Sequence, residues 1–343
     1  MRSLALIPAS LFLLVACGDK EDGGDAIETD PTVDRTTGDS GDGSDGADGT
    51  DGADGSDGTA TVASLAVDPE TAEVTTRETV AYTLTATYDD DSEADVTADA
   101  VMVVDDGLIA RVYTAGVVQP LGAGVATVSA DLDGASAELV VTVTVAAAEA
   151  TDLVLNEVLA DGTVEGDPNG DGDLDATDDE FIEIANLSGV SVDLSGCTLE
   201  ENDVVGLPRH TFAEGTVLMP GAAIVVFGGG DVSGLSGDHV TYVTADNADA
   251  GVLLGLDLGN AADRVRLKSP AGDVLAELCW GELFGATDCV DVVEDASMTR
   301  DVDVTGEAWG AHGAVTGDVG SFSPGTTRDG GAFGGPDAVF GTD

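Results

Sequence analysis

Between Val62 and Val145 the chain alternates short apolar runs with polar turns. The runs are Leu65-Ala66-Val67, Val80 to Thr87, Ala100 to Val104, Val125 to Ala130 and Leu139 to Val145. They are rich in β-branched residues and are parted by acidic turns such as Asp89-Asp90-Asp91 and Asp105-Asp106-Gly107. Short strands at this spacing predict a small all-β sandwich. After a small-residue joint, Ala146 to Ala150, strand-like runs resume at Leu153 to Val158, Phe181 to Ala185, Leu194 to Leu199, Ala222 to Phe227, Val265 to Leu267 and Val274 to Leu278. No helical period is sustained among them, and Pro220-Gly221 and Pro270-Ala271-Gly272 supply turns, so a second sandwich is expected.

The first 60 residues follow a different pattern. Arg2 precedes an apolar stretch, Leu4 to Val15, that is too short to span a bilayer and reads as an export signal over residues 1–16. From Gly18 to Ala60 there is no aromatic residue, and the larger aliphatics are Ile27 and Val33 alone. Such a segment cannot bury a core, so 17–60 is expected to be a disordered acidic linker. Its glycines recur every third residue from Gly43 to Gly58. The repeat carries no proline and would stack rows of aspartate, which argues for a self-repelling tether over a collagen-like helix. Gly38-Asp39-Ser40-Gly41 and Gly41-x-Gly43-x-x-Gly46 imitate catalytic and nucleotide-binding loops, but no strand or helix pattern flanks them.

Leu14-Val15-Ala16-Cys17 resembles the lipobox of bacterial lipoproteins. The resemblance implies an acylated Cys17 and a membrane partner held through that lipid, since several acyl chains anchor stably where one is marginal. Gly18 in place of Asp after the cysteine is similar to lipoproteins sorted outward, so the expected location is the cell envelope, at the outer membrane or cell surface.

Charge narrows the partners. Asp and Glu total 67 against 11 Lys and Arg, a formal net charge of −56. Such a surface repels phosphate backbones and excludes nucleic acid as a partner, while divalent cations are its natural counterions. With Cys17 assigned to the lipid, Cys197, Cys279 and Cys289 remain in an oxidising compartment, an odd number. Cys279 and Cys289 are the candidate disulfide around Trp280, and Cys197 reads as a small buried hydrophobe.

Two family resemblances refine the sandwiches. Ala63 to Pro69, Tyr82 to Tyr88, Asp95-Val96-Thr97, Gly116-Val117-Val118 and Gly122 to Ala130 resemble group 2 bacterial immunoglobulin-like (Big) domains over 61–146. The Met102 to Ala110 stretch departs from that family, which often carries a Trp-Ser-Ser strand there. Leu155 to Ala160, Asp179 to Asn186, Val192 to Leu199, Arg209 to Phe212, Gly215 to Gly221, Ser297 to Arg300 and Ser323 to Thr326 resemble the lamin-tail domain over 151–328. Cys197 stands where that family usually has Trp. Both resemblances imply immunoglobulin-like sandwiches that act as spacers or binding modules and carry no chemistry of their own. Residues 329–343 read as a Gly-rich tail.

One constellation carries chemistry. In Asp167-Pro168-Asn169-Gly170-Asp171-Gly172-Asp173-Leu174-Asp175-Ala176-Thr177-Asp178, side-chain oxygens fall at loop positions 1, 3, 5, 9 and 12 with Gly at 6. A hard cation wrapped by a tight loop needs this arrangement, and Ca2+ is the expected cofactor. Its ligands are Asp167, Asn169, Asp171, Asp175 and Asp178, with the carbonyl of Asp173. Position 12 is Asp as in dockerin-like loops, so the last ligand is Asp178 or shifts to Asp179. A solvated acidic loop is the alternative in so acidic a chain, and Mg2+ suits this ligand set less well. His210, His239 and His312 lie in separate segments without a nucleophile at a recognisable spacing, and read as surface or strand-edge residues; Trp280 and Trp309 read as packing residues before sugar-stacking ones. The expectation is a non-enzymatic adhesion, scaffolding or ligand-display lipoprotein meeting a cell-surface polymer or protein. The alternative is a carbohydrate- or polymer-binding accessory module of a secreted enzyme system.

Overall fold

The structure, a computed structural model, describes residues 60–160, 166–201, 208–246, 255–283, 285–314, 318 and 320–334. The export signal, Cys17 and all but the last residue of the acidic linker lie outside them. The described part is all-β and falls within one compact unit, Gly58–Asp343.

The N-terminal sandwich contains Val62–Asp68 (β1), Thr71–Thr75 (β2), Val80–Ala81 (β3), Thr83–Tyr88 (β4), Glu93–Asp95 (β5), Val101–Val104 (β6), Ala110–Thr114 (β7), Val117–Pro120 (β8), Gly124–Leu132 (β9) and Ala135–Thr144 (β10). They form sheets in the orders β1-β4-β5, β2-β10-β9-β6 and β3-β8-β7. Alternation sets which residues face inward: Ala126, Val128 and Ala130 of β9 are buried beside Leu139, Val141 and Val143 of β10. Leu65, Val67, Leu84, Ala86 and Val118 complete this apolar core. β2 was not legible as an apolar run; it pairs in parallel with β10, Thr71 opposite Val140 through Thr75 opposite Thr144.

The second sandwich contains Ala146–Ala147 (β11), Leu153–Leu159 (β12), Phe181–Asn186 (β13), Val192–Asp193 (β14), Thr198–Glu201 (β15), His210–Thr211 (β16), Val217–Leu218 (β17), Ala223–Phe227 (β18), Val240–Thr244 (β19), Ala262–Lys268 (β20), Val274–Gly281 (β21), Met298–Arg300 (β22) and Trp309–Ala311 (β23). Six of these make the sheet β19-β18-β13-β12-β22-β23, and β16-β15-β20-β21 make another. Their main core joins Leu155, Val158, Ile182, Ile184, Leu199, Ile224, Val226, Leu267 and Trp280. The six-stranded sheet is covered on both faces, since every residue of β13 and β18 is buried. Its second face packs Phe181 and Phe227 against Phe322, and Ala185 and Ala223 against Val304 and Phe333. Packing therefore continues to Phe333, past the expected boundary at 328.

The joint between the sandwiches is built into the fold. Ala146 and Ala147 run parallel to Val192 and Asp193 as a strand of the second sandwich. Thr76, buried, donates its hydroxyl to the Ser191 carbonyl at 2.8 Å and accepts the Ala146 amide at 3.1 Å. Arg77 grips the buried Asp152 carboxylate with both terminal nitrogens, at 3.0 and 2.6 Å, and also donates to the Ala147 carbonyl. The Ser191 hydroxyl donates back to the carbonyl of Leu121.

Candidate functional site

The acidic loop leaves β12 and re-enters the sheet at β13. Its side chains first shape its own backbone. Asp167 accepts the amides of Gly170 and Gly172 at 2.8 and 2.7 Å, Asn169 that of Asp171 at 3.1 Å, and Asp171 that of Asp173 at 2.8 Å. These local turns use one lone pair of each accepting oxygen and leave others free. Gly170 and Gly172 sit at φ of 75° and 92°, where a side chain is strained.

Asp175 is spent as a cap. Its Oδ1 accepts the Thr177 and Asp178 amides at 2.9 and 3.2 Å and the Thr177 hydroxyl at 2.7 Å, and these donors hold its carboxyl below the usual range. Asp173 is exposed, and Asp178 is half-buried. Among the described residues no group of three or more His, Cys, Asp or Glu side chains converges on one point.

The innermost carboxylate belongs to Asp179, fully buried beneath the loop. One oxygen accepts the Asp175 amide at 2.9 Å; the other, Oδ1, is buried and has no hydrogen-bond partner. Burial, with the charges of Asp167 and Asp171 adding to it, lifts its pKa to about 6. An unpaired buried carboxylate oxygen in so acidic a loop is a costly arrangement that a cation would relieve. The donor set, hard oxygens in a tight glycine-bearing loop, fits Ca2+.

A second element closes on this loop. After β18 the chain reads Gly228-Gly229-Gly230-Asp231. The Gly228 amide donates to the Glu180 carbonyl at 2.8 Å, that of Gly229 to the Asp178 carbonyl at 3.1 Å, and that of Asp231 to Asp171 Oδ2 at 3.3 Å. A Cβ at Gly228 would collide with the Thr177 carbonyl, at Gly229 with the Asp178 carboxylate, and at Gly230 with Asn169 and Asp171. Sequence reasoning missed this run. Its signal was three successive glycines directly after a buried strand, where backbone must approach backbone.

A second polar cluster lies on the far face of the six-stranded sheet. Glu157 of β12 and Glu183 of β13 are fully buried and directly opposed. A bulge at Asn156 brings them there, and Asn156 donates to Glu183 at 2.8 Å while accepting the Val304 amide at 2.6 Å. Glu157 accepts the Ser323 amide at 2.9 Å and the hydroxyls of Ser297 and Ser323, and Glu183 accepts the Gly325 amide at 2.6 Å. Burial pushes both carboxyls up, Glu183 further because it faces the charge of Glu157.

Of the three histidines, expected at the surface or at strand edges, His210 lies in the edge strand β16, His239 is exposed and His312 departs from the expectation. His210 is buried, 3.2 Å from Asp246 and edge-on to Phe212. His312 is buried between the Gly320 carbonyl at 3.2 Å and Ser323 Oγ at 3.0 Å. A carbonyl only accepts, so Nδ1 carries a proton. The Ser323 hydroxyl is committed to burying Glu157 and is not free as a nucleophile. His239 alone is exposed, at φ 60°.

Cys279 and Cys289 are bonded, with Cα atoms 4.7 Å apart, and Cys197 is a free, buried thiol in the main core. Trp280 is fully buried and donates to the Gly259 carbonyl at 2.7 Å. Trp309 is half-buried, with the Arg300 guanidinium 5.1 Å from its ring, and lines a cleft of 480 Å³ together with Val290, Asp291, Val293 and Met298.

The family described as Lamin Tail Domain matches residues 146–282. The match begins where β11 joins the second sandwich and ends just past β21, so the segment that covers the sheet's far face lies beyond it. Among solved structures the chain is similar to a DUF4876 family protein from Bacteroides thetaiotaomicron, at 12% identity over 66% of this chain and 74% of that one, with a TM-score of 0.28. It is also similar to domains 5-6 of the S-layer protein SbsC, at 11% identity over 68% of this chain and 100% of that one, with a TM-score of 0.23. Likeness at such scores carries no functional inference. No curated protein matches the chain.

Proposed function

We propose that the chain is a non-catalytic display protein of a bacterial cell envelope. It is lipidated at Cys17, held off the membrane by the acidic tether, and presents a Big-like and a lamin-tail-like sandwich at a fixed mutual angle, the second stiffened by Ca2+ in the 167–178 loop. The observation that carries this reading is the joint. A tether of simple beads needs no buried Thr76, no two-pronged Arg77 to Asp152 pair and no strand made of linker residues. These features suit a module that must hold its far end in a set direction. The commitment of the buried Ser323 and His312 to Glu157 supports a structural role over a catalytic one.

The Trp309 cleft favours the accessory-module reading, with a neutral sugar stacking beside an acidic rim. Protease shaving of intact cells, alongside palmitate labelling of wild type and Cys17→Ser, tests display: loss of label with the substitution and release of the sandwiches by protease are expected. A labelled protein that resists shaving on intact cells would overturn outward display. A glycan array with and without EDTA tests the second reading, and silence on every sugar class removes it.

A further inference from the structure

We propose that the cation of the acidic loop is closed by Asp179 in place of Asp178, and that the Gly228-Gly229-Gly230 run is its seat. This inference rests on the Ca2+ reading of the loop and names what completes it. By loop position Asp178 is the twelfth residue and the nominal last ligand. The structure puts its carboxylate against Gly229, and its carbonyl accepts the Gly229 amide at 3.1 Å. The Asp179 carboxylate is fully buried beneath the loop; one oxygen accepts the Asp175 amide at 2.9 Å and the other, Oδ1, has no hydrogen-bond partner.

A Ca2+ ion takes six to eight oxygens, and several of them are on the page. Asp167 has given one lone pair of each oxygen to the amides of Gly170 and Gly172, Asp171 one of each to those of Asp173 and Asp231, and Asn169 one to that of Asp171, and every one of these oxygens keeps another. Asp179 Oδ1 has given none. Asp175 has already committed one oxygen to three donors in its cap, which makes it the weakest candidate of the set.

The seat follows from the same contacts. Glycine at 228, 229 and 230 lets the end of β18 lie against Thr177, Asp178, Asn169 and Asp171 where any Cβ would collide. The Asp231 amide reaches Asp171 Oδ2 at 3.3 Å, so an ion that draws Asp171 inward tightens the segment after β18 as well. Ca2+ thereby couples 167–179 to 228–231.

The test is calorimetric titration of the full-length chain in detergent with CaCl2, and separately with MgCl2, together with hydrogen exchange of the wild type. We expect Asp179→Asn to weaken Ca2+ binding by at least about tenfold while Asp178→Asn changes it by less than about threefold. Exchange at 228–231 should slow on adding Ca2+. The reverse order of the two variants overturns the inference and leaves the loop's Ca2+ reading intact. No Ca2+ heat from wild type overturns both, and binding of Mg2+ alone does the same. If Asp179→Asn does not fold, the wild-type exchange decides: unchanged protection at 228–231 overturns the seat.

Discussion

The two sandwiches reach stability by opposite means. The N-terminal one is held by alternation alone: Leu84, Ala86, Val128, Leu139 and Val141 meet in an apolar core, and its carboxylates stay in water. The second also has an apolar core, but at the centre of its six-stranded sheet β13 and β18 have no wet face. That far face is filled by Glu157, Glu183, Asn156, Ser297 and Ser323 together with Phe181, Phe227 and Phe333. Non-directional burial fixes a fold approximately; a satisfied polar network fixes it uniquely, at the risk of heavy loss when one partner goes.

The sharpest way to break this contrast is Glu157→Leu. It leaves the hydroxyls of Ser297 and Ser323 and the Ser323 amide without their acceptor in a dry site, which should cost about 4 kcal/mol in the second sandwich. Both tryptophans, Trp280 and Trp309, lie in that sandwich, so urea unfolding followed by tryptophan fluorescence reads it directly. A loss below about 1 kcal/mol would show that the network contributes little.

Next is Leu139→Ala, which opens a cavity in the N-terminal core and should cost about 3 kcal/mol by far-ultraviolet circular dichroism. Arg77→Ala leaves Asp152 buried and unpaired at the joint, at a cost of about 2 kcal/mol, reduced because Arg77 is partly solvated. Its signature is calorimetric. One coincident transition in wild type should divide into two, and a single transition in the variant would mean that the joint does not couple the halves.

The smallest effect is Glu183→Gln, and its sign is opposite. Around Glu183 lie Glu157, Asp303 and Tyr242, with Asn156 and the Gly325 amide as hydrogen-bond donors. Its carboxyl is raised in the folded state, so its contribution to stability is full below the ordinary value of 4.5 and is lost as pH rises toward the folded value. The amide does not titrate, so the variant should gain about 1 kcal/mol on wild type above neutral pH and show a flatter profile. Chemical unfolding at a series of pH values measures this; an identical profile for both proteins would mean that Glu183 does not titrate between the two states.

The same contrast governs what could be read from the chain. β9 and β10 were legible because each inward residue is apolar and each outward one polar. β13 was legible as a strand through Phe181, Ile182 and Ile184, yet Glu183 in the middle of it reads as an outward position by the same alternation. Nothing local marks it as buried, because its cover comes from Ser323 and Gly325, far along the chain. The short strands β22 and β23 escaped notice for a like reason, since three residues carry too little pattern to recognise. In the acidic loop, oxygen spacing singled out Asp167, Asn169 and Asp171, whose side chains accept the loop's own amides. Spacing alone did not decide between Asp178 and Asp179, and the burial of Asp179 beneath the loop left no mark in the spacing.

The covering of the far face has a consequence in time. The N-terminal sandwich finds all its strands within Val62–Thr144 and is complete once that stretch is available. Glu157 must wait for Ser297 and Ser323, 140 and 166 residues later. A chain delivered from its N-terminus therefore finishes its first half early and keeps its second half open until Ser323 arrives. A truncation shortly before Ser323 would take from Glu157 both donors of Ser323 and from Glu183 the Gly325 amide, so the arrival of 323–325 acts as the checkpoint for the whole second half.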